Sequence, residues 1–171
     1  MAQEFVQNTI TAEPTVGLAG LAYDTGPYDV ISCIAQEDIP FGAYVRVNGG
    51  YCEIGDDTDE VTGGEGGVAM RVPTRISGAG HKQGEMVPVM RQGRIWVMTE
   101  EAVAAQANPF VRFTADTNKP KGGWLNTADT GKAVQPAGVS VFRGNTAAGL
   151  AVLQLSYPGL TMQGPQGIPG V

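Results

Sequence analysis

The sequence predicts an all-β fold: a small antiparallel β-sandwich or barrel with extended N- and C-terminal arms and at most one short helix. Three observations carry this. Twenty-five glycines and eleven prolines among 171 residues are too many for a helix-rich chain, because they cost roughly 1 and 3 kcal/mol in helix interiors. Short β-branched or aromatic runs recur along the chain, and turn chemistry separates nearly every pair of them. The composition (42% hydrophobic, 16% charged) is that of a globular protein long enough for one domain with a real core.

The strand candidates are 29–35, 44–47, 67–71, 86–90, 94–98, 110–114, 139–142 and 149–155. Between them stand Pro40–Gly42, Asn48–Gly50, Gly63–Gly67, Gly78–Gly80, Gln92-Gly93, Lys119–Gly123 and Gly144-Asn145. Within Met86–Met98, Val87, Val89 and Arg91 alternate with Pro88 and Met90, and Ile95 and Val97 flank Trp96. Gln92-Gly93 supplies a residue free to take φ > 0, so the segment reads as a tight hairpin. Pro88 places its first arm at an edge or bulge, since proline cannot donate to a ladder. Thr99–Ala107 is the one helical candidate: Thr99 as cap, Glu100-Glu101 in the first turn, Asn108-Pro109 as stop. A strand end followed by a loop is the alternative there.

The ends read differently from the middle, giving an N-terminal arm over 1–16, a β-rich body over 17–156 and a Gly/Pro-rich arm over 157–171. Phe5 and Val6 are the only bulky apolar neighbours of the first arm. In the last arm Pro158, Pro165 and Pro169 favour polyproline II. Gly164, Gly167 and Gly170 recur every third residue there, a collagen-like register too short for a triple helix by itself.

Charge is sorted by position. Residues 1–70 hold twelve Asp/Glu and one basic side chain, Arg46; residues 71–143 hold ten Lys/Arg and five Asp/Glu; residues 144–171 hold none. A net of −6 argues against a general nucleic-acid binder. The start MAQEFVQNTI lacks a basic n-region and an apolar h-region, and no stretch approaches the ~20 apolar residues of a membrane span. The expectation is synthesis in a reducing cytoplasm, with Cys33 and Cys52 as buried free thiols.

Chemistry-bearing motifs are scarce. His81 is the sole histidine, in a Gly-rich stretch that reads as flexible and exposed, with no nucleophile or metal-spaced partner in sequence. The acidic cluster Glu53, Asp56, Asp57, Asp59, Glu60 and Glu65 is the best metal candidate. As an EF-hand from Asp57 it fails, with Val61, Thr62 and Val68 where an oxygen ligand, a glycine and a bidentate Glu belong. A solvated acidic loop, or one that docks on a basic neighbour, is the better reading. The glycine clusters match no phosphate-binding pattern. No catalytic set, metal or cofactor is expected.

The stretch Glu85–Phe113, with its VPV-x-RQG-x-I-x-V run leading into EEAV and a P-x-V-R-x segment, resembles the structural cement (decoration) proteins of tailed bacteriophages. Gln106–Asn108 replace the usual Gly-Asp turn. Asp29–Gly42, ending in Ile-Pro-Phe-Gly, resembles that family's first strand and turn; Lys119–Trp124 and Gly149–Leu155 resemble later pieces. The resemblance spans 17–155. It implies a non-enzymatic protein on the outer surface of an expanded phage head in the virion, assembled in the host bacterial cytoplasm. There it would bridge neighbouring major capsid proteins and brace them against internal DNA pressure. Its expected contacts are Phe5, Val6, Leu160, Met162 and Ile168. Self-association as a homotrimer is expected, with a homodimer as runner-up, and no nucleic-acid or membrane partner. The alternative is a carbohydrate-binding or tail-fibre accessory module of a virion, which needs clustered exposed aromatics.

Overall fold

A computed structural model describes residues 17–62, 65–72 and 80–156. One long strand, β7 (Met86–Thr99), organises them. Its first half pairs antiparallel with β1 (Asp29–Ala35) on one side and β5 (Glu65–Ala69) on the other. β5 pairs with β3 (Tyr44–Asn48), β3 with β4 (Tyr51–Glu53), and β4 returns to β1 in parallel. The ring β1-β4-β3-β5-β7 is therefore closed, which leaves this part of the sheet without edges.

A closed ring of so few strands has room inside only for small side chains, and the inward positions supply them: Cys33, Ala35, Val45, Cys52, Ala69, Val87 and Val89, all buried. Cys33 donates its Sγ–H to the Val87 carbonyl at 3.6 Å. The Cys33 thiol beside it, together with burial, pushes the Cys52 thiol well above its ordinary range. Both are free buried thiols, as expected from the sequence.

The second half of β7 leaves the barrel and pairs with β12 (Gly149–Leu155), which pairs with β11 (Val139–Arg143). Its Thr99 end meets β9 (Trp124–Leu125), which leads to β8 (Phe110–Arg112) and β10 (Ala133–Val134). A larger core lies here: Met90, Ile95, Val97, Val111, Phe113, Trp124, Val141, Ala151, Leu153 and Leu155. Burying each aliphatic side chain of this size contributes about 1.5–3 kcal/mol. Trp124 ties the two cores together. Its indole Nε1–H donates to the Gly42 carbonyl at 2.8 Å, at the Ile-Pro-Phe-Gly turn where Gly42 takes φ +80°. β2 (Ile39–Pro40) and β6 (Gly80–His81) form a separate two-stranded ribbon, and α1 (Thr58–Thr62) is a single turn of helix.

Three expectations need correction or a choice. Met86–Thr99 is not a hairpin but one continuous strand. Gly93 does take φ +121°, yet it redirects the strand from β1 and β5 to β12 instead of reversing it. Pro88 lies in a doubly flanked strand; its carbonyl accepts from Met70 N, so its missing donor falls on that side, just past the end of β5. Thr99–Ala107 is a strand end and loop, not a helix. Glu100 and Glu101, which suit a helix start, are drawn to Arg112 and to Asn126–Thr127 instead.

Tyr44 links the barrel to α1: its buried hydroxyl donates to the Val61 carbonyl at 3.0 Å. Burial pushes the phenol from 10.0 up to about 12. A group whose pKa is raised on folding stabilises fully below its unfolded value, and that contribution is lost as pH rises through the folded value. Part of the alkaline loss of stability between about pH 10 and 12 therefore belongs to Tyr44. Tyr44→Phe is expected to cost about 1 kcal/mol at neutral pH and to flatten that alkaline limb. Urea midpoints measured from pH 8 to 12 check both; parallel alkaline limbs for parent and variant would refute the assignment.

Candidate interaction surfaces

Apart from Leu18 and Met98, the exposed large apolar side chains among the described residues fall on two faces, both along β7. The first is on the outside of the barrel. Cys33 and Ala35 point inward, so Ile34 points out, and the register places Ile34 beside Tyr51 of β4 and Met86 of β7. The three form one row across adjacent strands, and all are exposed, Met86 at 68%. Around them lie exposed Ser32, Gln36 and Asn48, and Gly49-Gly50 faces open space. The Arg46–Glu53 ion pair at 3.6 Å marks the rim. An apolar centre with a polar rim is the composition of an interface core.

The second face lies past the bend. Segment 20–23 runs along β7, with Gly20 N, Trp96 N and Tyr23 N closing hydrogen bonds of 2.8–2.9 Å. This packs Tyr23 between Trp96 (5.4 Å) and Phe142 (5.6 Å). The Arg94 guanidinium sits 3.8 Å over the Phe142 ring and also holds Asp24 at 2.9 Å. Arg143 lies 5.9 Å over Trp96 and has no carboxylate partner among the described residues. Tyr28, packed against Gly93, is exposed, as is Phe142. Aromatic residues interleaved with arginine are the residue types that dominate interface energetics. Eight residues of β7 separate Met86 from Arg94, about 26 Å at ~3.3 Å per residue.

The charged blocks of the sequence interleave in space. Asp56 is met by Lys121, Glu65 by Arg91, Asp29 by Arg91, Asp24 by Arg94 and Asp38 by Lys82. Much of the acidic loop thus meets this chain's own basic residues. Among the described residues no group of His, Cys, Asp and Glu is arranged to hold a metal.

His81 is not the exposed histidine expected from its glycine-rich neighbourhood. It is buried, donates Nε2–H to the Met70 carbonyl at 2.8 Å and packs edge-on to Phe41 at 5.0 Å. Trp124 is equally closed to any ligand, at 1% exposure. Glu101 gathers the Thr127 hydroxyl and the Asn126 and Thr127 amides. Burial pushes its carboxyl up, but those hydrogen bonds outweigh burial and hold it below the ordinary carboxylate value.

Phe5, Val6, Leu160, Met162 and Ile168, the contact residues expected from the sequence, lie outside the described residues. Sequence reading missed Ile34, Tyr51, Met86, Tyr28, Phe142 and Arg143. A signal existed for Ile34: the run Val30-Ile31-Ser32-Cys33-Ile34-Ala35 is apolar at positions of both faces, more than one interior can absorb.

Two comparisons with known proteins place this geometry, and a third finds no match. A solved structure described as the capsid of Myoviridae phage XM1 contains a chain of the same fold. The TM-score is 0.67 at 16% identity, over 90% of this chain and 98% of that one. No curated protein matches. The model of the family described as structural cement protein (E217 gp24/Pam3 gp6) matches residues 6–156. That match takes in both apolar faces, the barrel and the second sheet, and the chain belongs to this family of phage structural cement proteins.

Proposed function

We propose that this protein cements the phage head: it binds the outer surface of the expanded capsid and bridges neighbouring major capsid proteins against the pressure of packaged DNA. The observation that carries this is the pair of surface faces carried by one continuous strand, eight residues apart, or about 26 Å measured along the chain. A body that is rigid between two adhesive faces can join two neighbours, whereas one patch can only coat one. Each contact is modest, and attachment at one face raises the effective concentration at the other. The arms add reach: Phe5 and Val6 at one end and Leu160, Met162 and Ile168 at the other are assigned to capsid or neighbouring copies. In this reading residues 17–156 are the body, 1–16 and 157–171 the arms, and the protein works as a homotrimer, with a homodimer as the runner-up.

The test is sedimentation of purified protein with expanded, undecorated capsids. Co-sedimentation in saturable amounts is expected, with capsids that resist disruption by heat better than bare ones. Protein left in the supernatant at micromolar concentration would end the cement reading.

A further inference from the structure

On the second face, Arg143 is exposed and meets no carboxylate among the described residues. Its place there follows from the register. Val152 is the partner of Trp96 on one side and of Arg143 on the other. A bulge between Val141 and Arg143 interrupts the alternation of β11, so Phe142 and Arg143 both reach this face. Phe142 packs on Tyr23, and the Arg143 guanidinium lies 5.9 Å over Trp96. Arg94, the other arginine here, is taken by Asp24 and Gln154.

The same indole is where the N-terminal segment joins the body. Gly17 takes φ +117° and is pressed onto Trp96: a Cβ built on it would lie 2.6–2.7 Å from three indole atoms. Hydrogen bonds from Gly20 N to the Trp96 carbonyl (2.8 Å) and from Trp96 N to the Leu21 carbonyl (2.9 Å) fix that junction on β7. Gly17 and the Arg143 guanidinium are therefore at most roughly 11 Å apart. Residues 1–16 carry two charged side chains, Glu4 and Glu13, both acidic. Glu13 is four residues from Gly17, about 13–14 Å of extended chain, so its carboxylate spans the distance. Glu4 is thirteen residues away. Effective concentration falls roughly as the −3/2 power of tether length, which favours Glu13 about sixfold. A tether this short gives a millimolar effective concentration, about tenfold above that of a neighbour's Glu13 in a ~0.1 mM solution.

We propose that Glu13 pairs with Arg143 of its own chain and lays the base of the N-terminal segment across the Trp96 face. The pair is exposed, so it weights the laid-down position by about 1.5- to 5-fold. Resting on the cement reading, the latch aims the arm. Val6 and Phe5, seven and eight residues beyond Glu13, then leave from the second face, and face and arm meet the same neighbour.

The test is 19F NMR of the full chain carrying 5-fluorotryptophan, without capsids. Two resonances are expected, and Trp124, buried beside Gly42, is the internal reference for Trp96. Glu13→Gln is expected to shift the Trp96 resonance and leave Trp124 unmoved. In an Arg143→Gln background the same change is expected to shift neither. A Trp96 resonance indifferent to Glu13→Gln, or a shift that persists without Arg143, would overturn the proposal. Labelled Glu13→Gln protein is also unfolded and refolded together with an excess of unlabelled parent. Its Trp96 resonance is expected to stay where Glu13→Gln alone puts it. Reversion towards the parent position would mean that an adjacent copy supplies Glu13, and the own-chain latch would fall. Co-sedimentation with capsids is measured separately: parent protein that binds capsids while the latch fails leaves the cement reading standing, and the converse result ends that reading alone.

Discussion

Arg112→Ala is expected to lower the stability of this protein by about 3–5 kcal/mol, the cost of stranding a buried charge. Arg112 is 1% exposed and is one of few buried polar side chains among the described residues. Its Nε and Nη2 donate to the two oxygens of Glu100, each at 2.7 Å, and Nη1 donates to Asp129 at 2.8 Å. The planar fork fits a carboxylate in a way that a lysine ammonium does not. Glu100, 12% exposed, loses both bonds when the fork is removed and keeps only the longer contact to Lys119 at 3.7 Å; Asp129, 37% exposed, is in reach of water. The loss therefore comes mainly from Glu100. A double variant Arg112→Met/Glu100→Met removes both charges and is expected to be less damaging than Arg112→Ala alone. Urea unfolding of the three proteins gives the comparison. A single-variant loss below about 1 kcal/mol would mean that water already solvates the pair.

The same residues show how much was legible in sequence. Strands 29–35 and 149–155 were readable at their observed bounds, because a short apolar run bounded by turn chemistry marks each of them over seven residues. Tyr51–Glu53, Trp124–Leu125, Ala133–Val134 and Gly80–His81 were not, since two or three residues carry no period. The Glu100-Glu101 pair is chemically suited to a helix start, and only the distant Arg112, Asn126 and Thr127 decide otherwise. His81 fails for the same reason: glycine neighbours argue for exposure, while Phe41 and the Met70 carbonyl that enclose it are remote in the chain.

Charge was legible as a pattern but not as a mechanism. An acidic first block and a basic second block invite a reading of oppositely charged surfaces. Folding brings β1 and β5 of the first against β7 of the second, and the blocks neutralise one another through Arg91, Arg94, Lys82 and Lys121. Most of these pairs are exposed at one or both ends and contribute little stability individually. What these pairs leave at the surface without a charged partner of this kind is the apolar row Ile34, Tyr51 and Met86. Side chains that face outward from a strand look the same in sequence whether solvent or a partner covers them.

Gly93→Val is expected to cost about 2–6 kcal/mol, from roughly 1–3 for a left-handed backbone and roughly 1–3 for overpacking. Gly93 takes φ +121°, and a Cβ built there would lie 2.7 Å from the Tyr28 Cβ, too close for any rotamer change to relieve. The position is also where β7 changes partners, from Gln92 opposite Asp29 to Gly93 opposite Leu155. A strand that cannot bend there must give up one ladder or the other, so the barrel and the second sheet are uncoupled by a single substitution. Gly93→Ala carries the same backbone strain with less bulk. Pairing it with Tyr28→Gly, which removes the colliding Cβ, separates the two costs: the contact part is recovered and the backbone part remains. Full recovery would show that the bend tolerates a side chain and that Gly93 is there only for space. Partial recovery, read from urea midpoints, would establish φ as the cause. The spacing of the two apolar faces would then depend on one glycine's freedom to adopt it.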